Sequence, residues 1–149
     1  MQKNYSQEMQ PAIVGMLADT TFKTTDSYHV EDEKGVNAGV PVIPGTDAGT
    51  QVKACGANDG ANDGANVIGV TMFVHKQLTD GENYYDKGYV VPVVTKGRVW
   101  VAVEGAVVAQ TAAKYDATKK VWSATGTVEV ANAKFITANT QGMAVVQIG

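Results

Sequence analysis

The stretch that decides the fold is residues 88–110, which read GYVVPVVTKGRVWVAVEGAVVAQ. It is the longest dense run of β-branched residues in the chain, and such residues suit a pleated, half-buried surface. The short sequence Thr95-Lys96-Gly97-Arg98 divides the run with turn-forming residues. The pattern therefore predicts a β-hairpin with Lys96 and Gly97 in its loop.

The predicted hairpin has two different faces, because side chains alternate along a strand and directly opposed residues share a face. One face is wholly apolar and is expected to be core: Val90, Pro92, Val94, Val99, Val101 and Val103. The other is mixed: Val91, Val93, Thr95, Arg98, Trp100, Ala102 and Glu104. Because proline cannot donate to a ladder, the strand that holds Pro92 is expected to be an edge strand or to be bulged there.

Composition predicts an all-β protein. The chain has 149 residues, 16 of them glycine, and its only leucines are Leu17 and Leu78. No window shows convincing helical periodicity, and valine and turn residues dominate instead. A chain of this length fits one domain. We therefore expect a flexible polar N-terminal arm at 1–10 and a single β-domain at 11–149, either a small barrel or a sandwich.

The remaining strands are predicted from short apolar or alternating runs between turn signals. Residues 11–19 are expected to form a first strand or an extended lead-in. Residues 56–66, GANDGANDGAN, are expected to form a solvated, flexible loop. The other predicted elements are strands at 22–30, 36–43 (broken by Gly39 and Pro41), 51–55, 67–74, 128–135 and 142–148, and a short hairpin around 116–120.

Charge and hydropathy exclude several classes of partner. The net charge is -3 with mixed signs, which argues against nucleic acid or an anionic membrane as the main partner. No run reaches the 18 or so apolar residues that a transmembrane helix needs, and residues 1–10 lack the apolar region of a signal peptide. We expect a soluble protein that is made in the cytoplasm.

The sequence contains no recognisable catalytic, metal or cofactor motif. His29 and His75 have no partners at the spacing of a known catalytic set, and the single cysteine, Cys55, is expected to be a packing residue. The Asn, Asp and Gly residues of 56–66 lack the ligand spacing and the closing Glu of a calcium loop. We therefore predict no catalytic residues, no metal site and no cofactor.

Aromatic residues are the more informative class, because six of them cluster between Tyr84 and Trp122. Trp and Tyr are favoured at the centres of interfaces, although two tryptophans could equally fill a small barrel. Arg98 and Glu104 flank Trp100 on the mixed face and favour a surface that meets a partner. The candidate contact residues are Arg98, Trp100, Glu104, Tyr84 and Tyr85.

The order of short motifs resembles the structural cement, or head decoration, proteins of tailed bacteriophages. The motifs are PAIVGMLAD at 11–19, VNAGVPV at 36–42, VIGV at 67–70, YYDKGYVVPV at 84–93, KGRVWV at 96–101, AKF at 133–135 and GMAVV at 142–146. The resemblance implies a virion protein without catalysis that binds the outer surface of the expanded head, as a homo-oligomer, and bridges major capsid protein subunits.

Two other classes of function stay open at this point. A carbohydrate- or receptor-binding β-module of a virion would use an aromatic-lined groove around Trp100, Tyr84 and Tyr85. A small hydrolase would depend on His75 or His29.

Overall fold

The computed structural model describes residues 11–20, 22–56, 63–75 and 84–149, and these residues form an all-β fold. The predicted arm at 1–10 and most of the predicted loop at 56–66 lie outside the described residues. The described chain contains no helix long and apolar enough to cross a membrane. Its elements are β1 (Thr24–Val30), β2 (Pro41–Pro44), β3 (Gln51–Ala54), a 3₁₀ helix (Asp63–Asn66), β4 (Gly69–Thr71), β5 (Val90–Ala102), β6 (Ala112–Asp116), β7 (Val121–Ser123), β8 (Val128–Phe135) and β9 (Met143–Ile148).

The predicted hairpin at 88–110 is wrong, because β5 is one continuous strand of 13 residues. A tight two-residue hairpin loop normally needs positive φ angles, as in Asn-Gly turns, and of the predicted loop residues only Gly97 has one. Within the first half of β5, Val91 and Val93 lie on one face and Val90 and Pro92 on the other, and the register with β1 then shifts between Val94 and Lys96. Val91 and Val93 are accordingly buried, whereas Val90 is 54% exposed.

β5 changes partners at Gly97 and so belongs to two small barrels. Up to Lys96 it pairs with β1 on one side and β4 on the other, and the strand order β1-β3-β2-β4-β5-β1 closes a first barrel. From Gly97 onwards it pairs with β9, followed by β8, β6 and β7. This second sheet curls back to β5 through a parallel bridge between Val103 and Trp122. Of the two architectures left open by the sequence, the barrel is therefore the one found.

The N-terminal segment, residues 13–18, covers the remaining edge of β5. The Gly15 amide donates to the Trp100 carbonyl at 2.7 Å, and the Trp100 amide donates to Met16 at 2.8 Å. The Ala18 amide donates to the Arg98 carbonyl at 2.9 Å. Residues 11–19 are thus an extended lead-in, and the second half of β5 is paired on both sides.

Pro92 lies neither in an edge strand nor at a bulge, contrary to the sequence-based prediction: the irregularity in the register with β1 lies further along, between Val94 and Lys96. It is paired with Ser27 of β1, and on the other side its carbonyl accepts from the Met72 amide at 2.9 Å. An antiparallel pair of this kind would also need an amide at position 92 to donate back to the Met72 carbonyl. The Tyr85 hydroxyl donates to that carbonyl instead, at 2.5 Å. Tyr85 therefore supplies the hydrogen bond that proline cannot make.

One continuous hydrophobic core runs through both barrels and contains the largest buried side chains, Trp122, Tyr85 and Phe135. The Trp122 ring packs edge-on against Tyr115 with ring centroids 5.6 Å apart, and its Nε1 donates to the Gly39 carbonyl at 2.8 Å. Burying such a ring removes a large apolar area from water and satisfies its single polar group. Cys55 is also buried, which confirms that it is a packing residue.

Candidate functional site

Arg98 lies on the outer face of the second barrel, where it begins a row of polar side chains across three strands. It is directly opposed to Gln147 of β9, which is in turn opposed to Lys134 of β8. Opposed residues share a face, and the Arg98 Nε donates to the Gln147 Oε1 at 3.1 Å. Arg98 and Lys134 are both exposed. The row therefore presents two cations separated by an amide.

Two further cations extend this row into a patch at the point where β5 changes barrels. Lys96 is exposed and lines a cleft of about 470 Å³ together with Arg98, Gln147 and Phe22. Lys23 is also exposed, and its Cβ lies beside Gly97. We call Lys23, Lys96, Arg98 and Lys134 the cationic patch.

The cationic patch contains an exposed aromatic ring. Phe22 is 77% exposed on the rim of the cleft. Asp19 and Gly149 line the same cleft, and one oxygen of the Asp19 carboxylate lies 3.5 Å from an Arg98 nitrogen. An ion pair this exposed contributes little to stability, so Arg98 keeps most of its capacity to bind another anion. Cations around an exposed ring form a surface suited to a partner that carries carboxylates and apolar groups.

Of these residues, the sequence pattern indicates Arg98 but not Phe22, Lys96 or Lys134. Lys96 falls in the predicted turn, and the pattern does not connect Lys134 with Arg98 because it carries no information on strand order. For Lys134 a signal did exist, since the alternation of 128–135 places it opposite to the buried Ala133 and Phe135.

Trp100 lies on the same face of β5 as Arg98, two residues further along. It is half-buried, and both of its backbone groups bond to the N-terminal segment. Met16, whose carbonyl accepts from the Trp100 amide, is 39% exposed. Trp100 thus lies at the edge of the cationic patch, with an exposed apolar residue beside its backbone.

Glu104 is separated from this region. It follows the end of β5, about 20 Å from Arg98 if six residues of strand each contribute about 3.3 Å. Its carboxylate pairs with Lys119 at 2.9 Å, and both side chains are more than half exposed. The hydrogen bond to Glu104 raises the pKa of Lys119 above its usual value. Arg98 and Glu104 therefore mark opposite ends of the second half of β5.

Tyr84 and Tyr85 are predicted contact residues, but in the structure Tyr84 is half-buried and Tyr85 is buried. Tyr85 is only 1% exposed, and burial raises the pKa of its hydroxyl to about 12. Tyr84 is half-buried, packs against Phe73 with ring centroids 5.4 Å apart, and donates its hydroxyl to the Val74 carbonyl. Tyr84 lines a cleft of about 290 Å³ with Phe73 and Ala102. The structure does not bring Trp100, Tyr84 and Tyr85 together into one open aromatic groove.

A cleft of about 750 Å³ lies between the two barrels and is lined by charges of both signs. Its half-buried carboxylate, Asp32, accepts from the Ala54 amide at 2.7 Å, and burial raises the pKa of this carboxyl. Elsewhere, His29 lies against the Gly88 carbonyl and His75 against the ring of Phe73. Among the described residues no group of three or more His, Cys, Asp or Glu could hold a metal ion.

Comparison with known proteins agrees with this all-β, barrel-containing fold. The family model described as structural cement protein (E217 gp24/Pam3 gp6) matches residues 1–149. A chain from the structure titled "The capsid of Myoviridae Phage XM1" is similar over 100% of this chain and 97% of its own length, with a TM-score of 0.71 and 17% identity. The N base of head fiber gp8.5 of bacteriophage phi29 aligns with 86% of this chain and 95% of its own, with a TM-score of 0.45 and 8% identity. No curated protein sequence matches the chain.

Proposed function

The chain belongs to the family of phage structural cement proteins, and from this premise we propose that it binds the outer surface of an assembled bacteriophage head. It is a capsid-associated structural protein of the virion. On the head it would stabilise the contacts between neighbouring major capsid protein subunits.

The observation that carries the proposal is the cationic patch with its exposed ring. The chain as a whole has a net charge of -3, yet Lys96 and Arg98 line one cleft with Phe22, Lys23 lies beside Gly97 of that cleft, and Lys134 follows in the row that begins at Arg98. We propose that this patch, together with Trp100, meets carboxylates and apolar side chains on the capsid surface. Tyr85 is left out because it is buried, and Glu104 because it lies at the other end of the strand.

Binding of this kind stabilises the shell by mass action. A ligand that binds the assembled shell but not its separated subunits shifts the equilibrium towards assembly. Because a shell repeats the same surface many times, weak contacts by many copies add up. No chemical step is needed for this role.

The proposal is tested by co-sedimentation. Purified protein is mixed with its expanded heads and, separately, with unexpanded heads and free major capsid protein. We expect the protein to pellet with expanded heads in a saturable, stoichiometric amount and to raise the temperature at which those heads break open. Failure to pellet with expanded heads, or pelleting with no change in head stability, would contradict the proposal.

Trp100 provides a sharper test because a matched tryptophan is available. Replacing Trp100 with Ala is expected to weaken head binding roughly tenfold, a cost typical of an interface residue, while the free protein stays folded. Replacing the buried Trp122 with Ala is expected to cost about 3–5 kcal/mol of unfolding free energy. The measurements are head-binding isotherms and urea unfolding curves for both variants. Equal losses of stability in the two variants would place Trp100 in the core.

A further inference from the structure

Among the described residues, β1 has an open edge along most of its length. It pairs with β5 from Thr24 to His29, but on its other side β3 reaches only His29 and Val30. The side chains from Thr24 to Ser27 are exposed. Most of the first barrel is closed, so this short edge is where another strand can still be added.

The direction of the backbone groups along this edge follows from the hydrogen bonds at its end. The Val30 amide donates towards β5, to Tyr89 at 3.0 Å, and the His29 amide donates towards β3, to Thr50 at 2.8 Å. Because the groups of successive residues in a strand point to opposite sides, Thr25 and Ser27 direct their amides and carbonyls away from β5. Within the described chain, no strand pairs with that side of these two residues.

Asp26 lies between these two residues and defines what kind of strand fits. An antiparallel strand added to this edge would place one of its residues directly opposite Asp26 in a non-hydrogen-bonded pair, where side chains approach closely. The Asp26 side chain is exposed and, among the described residues, has neither a hydrogen bond nor an ion pair. A basic residue at the opposing position would neutralise it.

A second copy of the chain fits poorly. Two β1 edges use all of the outward groups only when Thr25 of each copy pairs with Ser27 of the other, which puts the two-fold axis at Asp26. That register places the two carboxylates directly opposite each other, and like charges in that arrangement are destabilising. A single charge on an edge is also a common protection against self-pairing. The edge therefore favours a different chain.

The edge begins beside the cationic patch. Thr24 pairs with Lys96 of the patch, and the exposed Phe22 precedes β1 by two residues. A segment bound along β1 would therefore reach Phe22 and Lys96 at one end. This continuity ties the edge to the proposed capsid-binding surface.

We propose that the edge of β1 at Thr25 and Ser27 accepts an extended segment of the capsid shell by β-strand addition, with a Lys or Arg of that segment facing Asp26. This mode uses main-chain hydrogen bonds for affinity and side chains for specificity. The inference rests on the proposed function, because the partner is the shell.

The test uses Ser27→Pro, with Ser27→Ala as its control. Proline removes the outward amide of Ser27 without touching the hydrogen bonds to β5, and proline is tolerated on edge strands. Each variant is titrated onto expanded heads, and its melting temperature is measured in the free state. We expect Ser27→Pro to bind at least about tenfold more weakly while Ser27→Ala binds like the wild type, the loss of a partly buried amide contact being of that order.

Hydrogen exchange on the wild-type protein provides a second readout that needs no variant. The Thr25 and Ser27 amides are expected to exchange quickly in the free protein and slowly on heads. Unchanged exchange on heads, or wild-type binding by Ser27→Pro, would overturn the inference while leaving wild-type co-sedimentation, and hence the proposed function, intact. If Ser27→Pro instead abolished self-association of the free protein without affecting head binding, the edge would be a contact between copies and the inference would be wrong.

Discussion

At the scale of single residues, the fold depends on a tyrosine that compensates for a proline. Pro92 lies inside a strand that is paired on both sides, where a missing amide leaves the Met72 carbonyl without its usual donor. The Tyr85 hydroxyl bonds to that carbonyl at 2.5 Å. A buried acceptor without a partner costs about 1–3 kcal/mol, so the two residues are coupled in energy although they are seven positions apart.

A double-mutant cycle tests this coupling. Tyr85→Phe is expected to lower the unfolding free energy by about 1–3 kcal/mol, because it leaves the Met72 carbonyl unsatisfied. In a Pro92→Ala background the same change should cost clearly less, because the new amide can donate to Met72. The measurement is urea unfolding at neutral pH.

Tyr115→Phe serves as the control for the cycle. Tyr115 is 2% exposed, and within the described chain its hydroxyl has no hydrogen-bond partner. Its replacement is expected to leave the unfolding free energy unchanged or to raise it. An equal cost of Tyr85→Phe in both backgrounds would show that the hydroxyl does not replace the amide of residue 92.

At the scale of elements, β5 connects the two barrels because it can continue through Gly97. Gly97 has a φ of 145°, a conformation that residues with a side chain rarely adopt. A Cβ at this position would lie 3.2 Å from a Val94 methyl group and 3.3 Å from the Phe22 carbonyl oxygen. The glycine thus allows the strand to leave one barrel and enter the other without losing its pairing.

Gly97→Ala is therefore expected to lower the unfolding free energy by about 1–3 kcal/mol through backbone strain. Gly49→Ala is a suitable control, because a Cβ there would meet nothing closer than 3.9 Å. Thermal melts and urea unfolding of both variants provide the comparison. A neutral Gly97→Ala variant would mean that β5 does not need the glycine conformation.

At the scale of the whole molecule, charge is distributed unevenly. The protein is acidic overall, but one side of the junction between the barrels is cationic. Complementary charge across an interface raises association rates and specificity, and salt weakens it. If the cationic patch meets the capsid, its contribution must decrease as ionic strength rises.

Charge reversal in the cationic patch tests this expectation. The double variant Lys96→Glu, Lys134→Glu is expected to bind expanded heads at least about tenfold more weakly at about 0.15 M salt, with a smaller difference at about 1 M, where the screening length falls to about 3 Å. The double variant Lys119→Glu, Lys120→Glu, which reverses the same number of exposed charges at the far end of β5, is the matched control and should bind like the wild type. Equal effects of the patch and control variants would indicate that only net charge matters.

Much of the secondary structure is determined by the sequence alone, because alternation within a single strand is local information. The strand at Val128–Phe135, the pairing of β6 with β7 around 116–120, and the closing strand are all predicted from short apolar or alternating runs and turn residues. The all-β class and the burial of Cys55 follow from the same local signals. The family resemblance, carried by short motifs over most of the chain, likewise depends on sequence alone and is confirmed by the family match.

Only the tertiary structure decided how residues 88–110 are used. The sequence Lys96-Gly97 is compatible both with a hairpin loop and with a glycine inside a continuous strand, and the choice depends on which distant strands are available to pair. The first half of β5 pairs with β1 and β4, and the second half pairs with β9. Pairing with these distant strands therefore stabilises a continuous β5 more than pairing of its two halves with each other in a hairpin would. That choice buried Val91 and Val93 and exposed Val90. It also brought the Tyr85 hydroxyl to the Met72 carbonyl, Phe22 to the cleft of Arg98, and Lys134 into the same row as Arg98 with Gln147 between them. Long-range pairing, which has no local signature, therefore determined the surface that the protein presents.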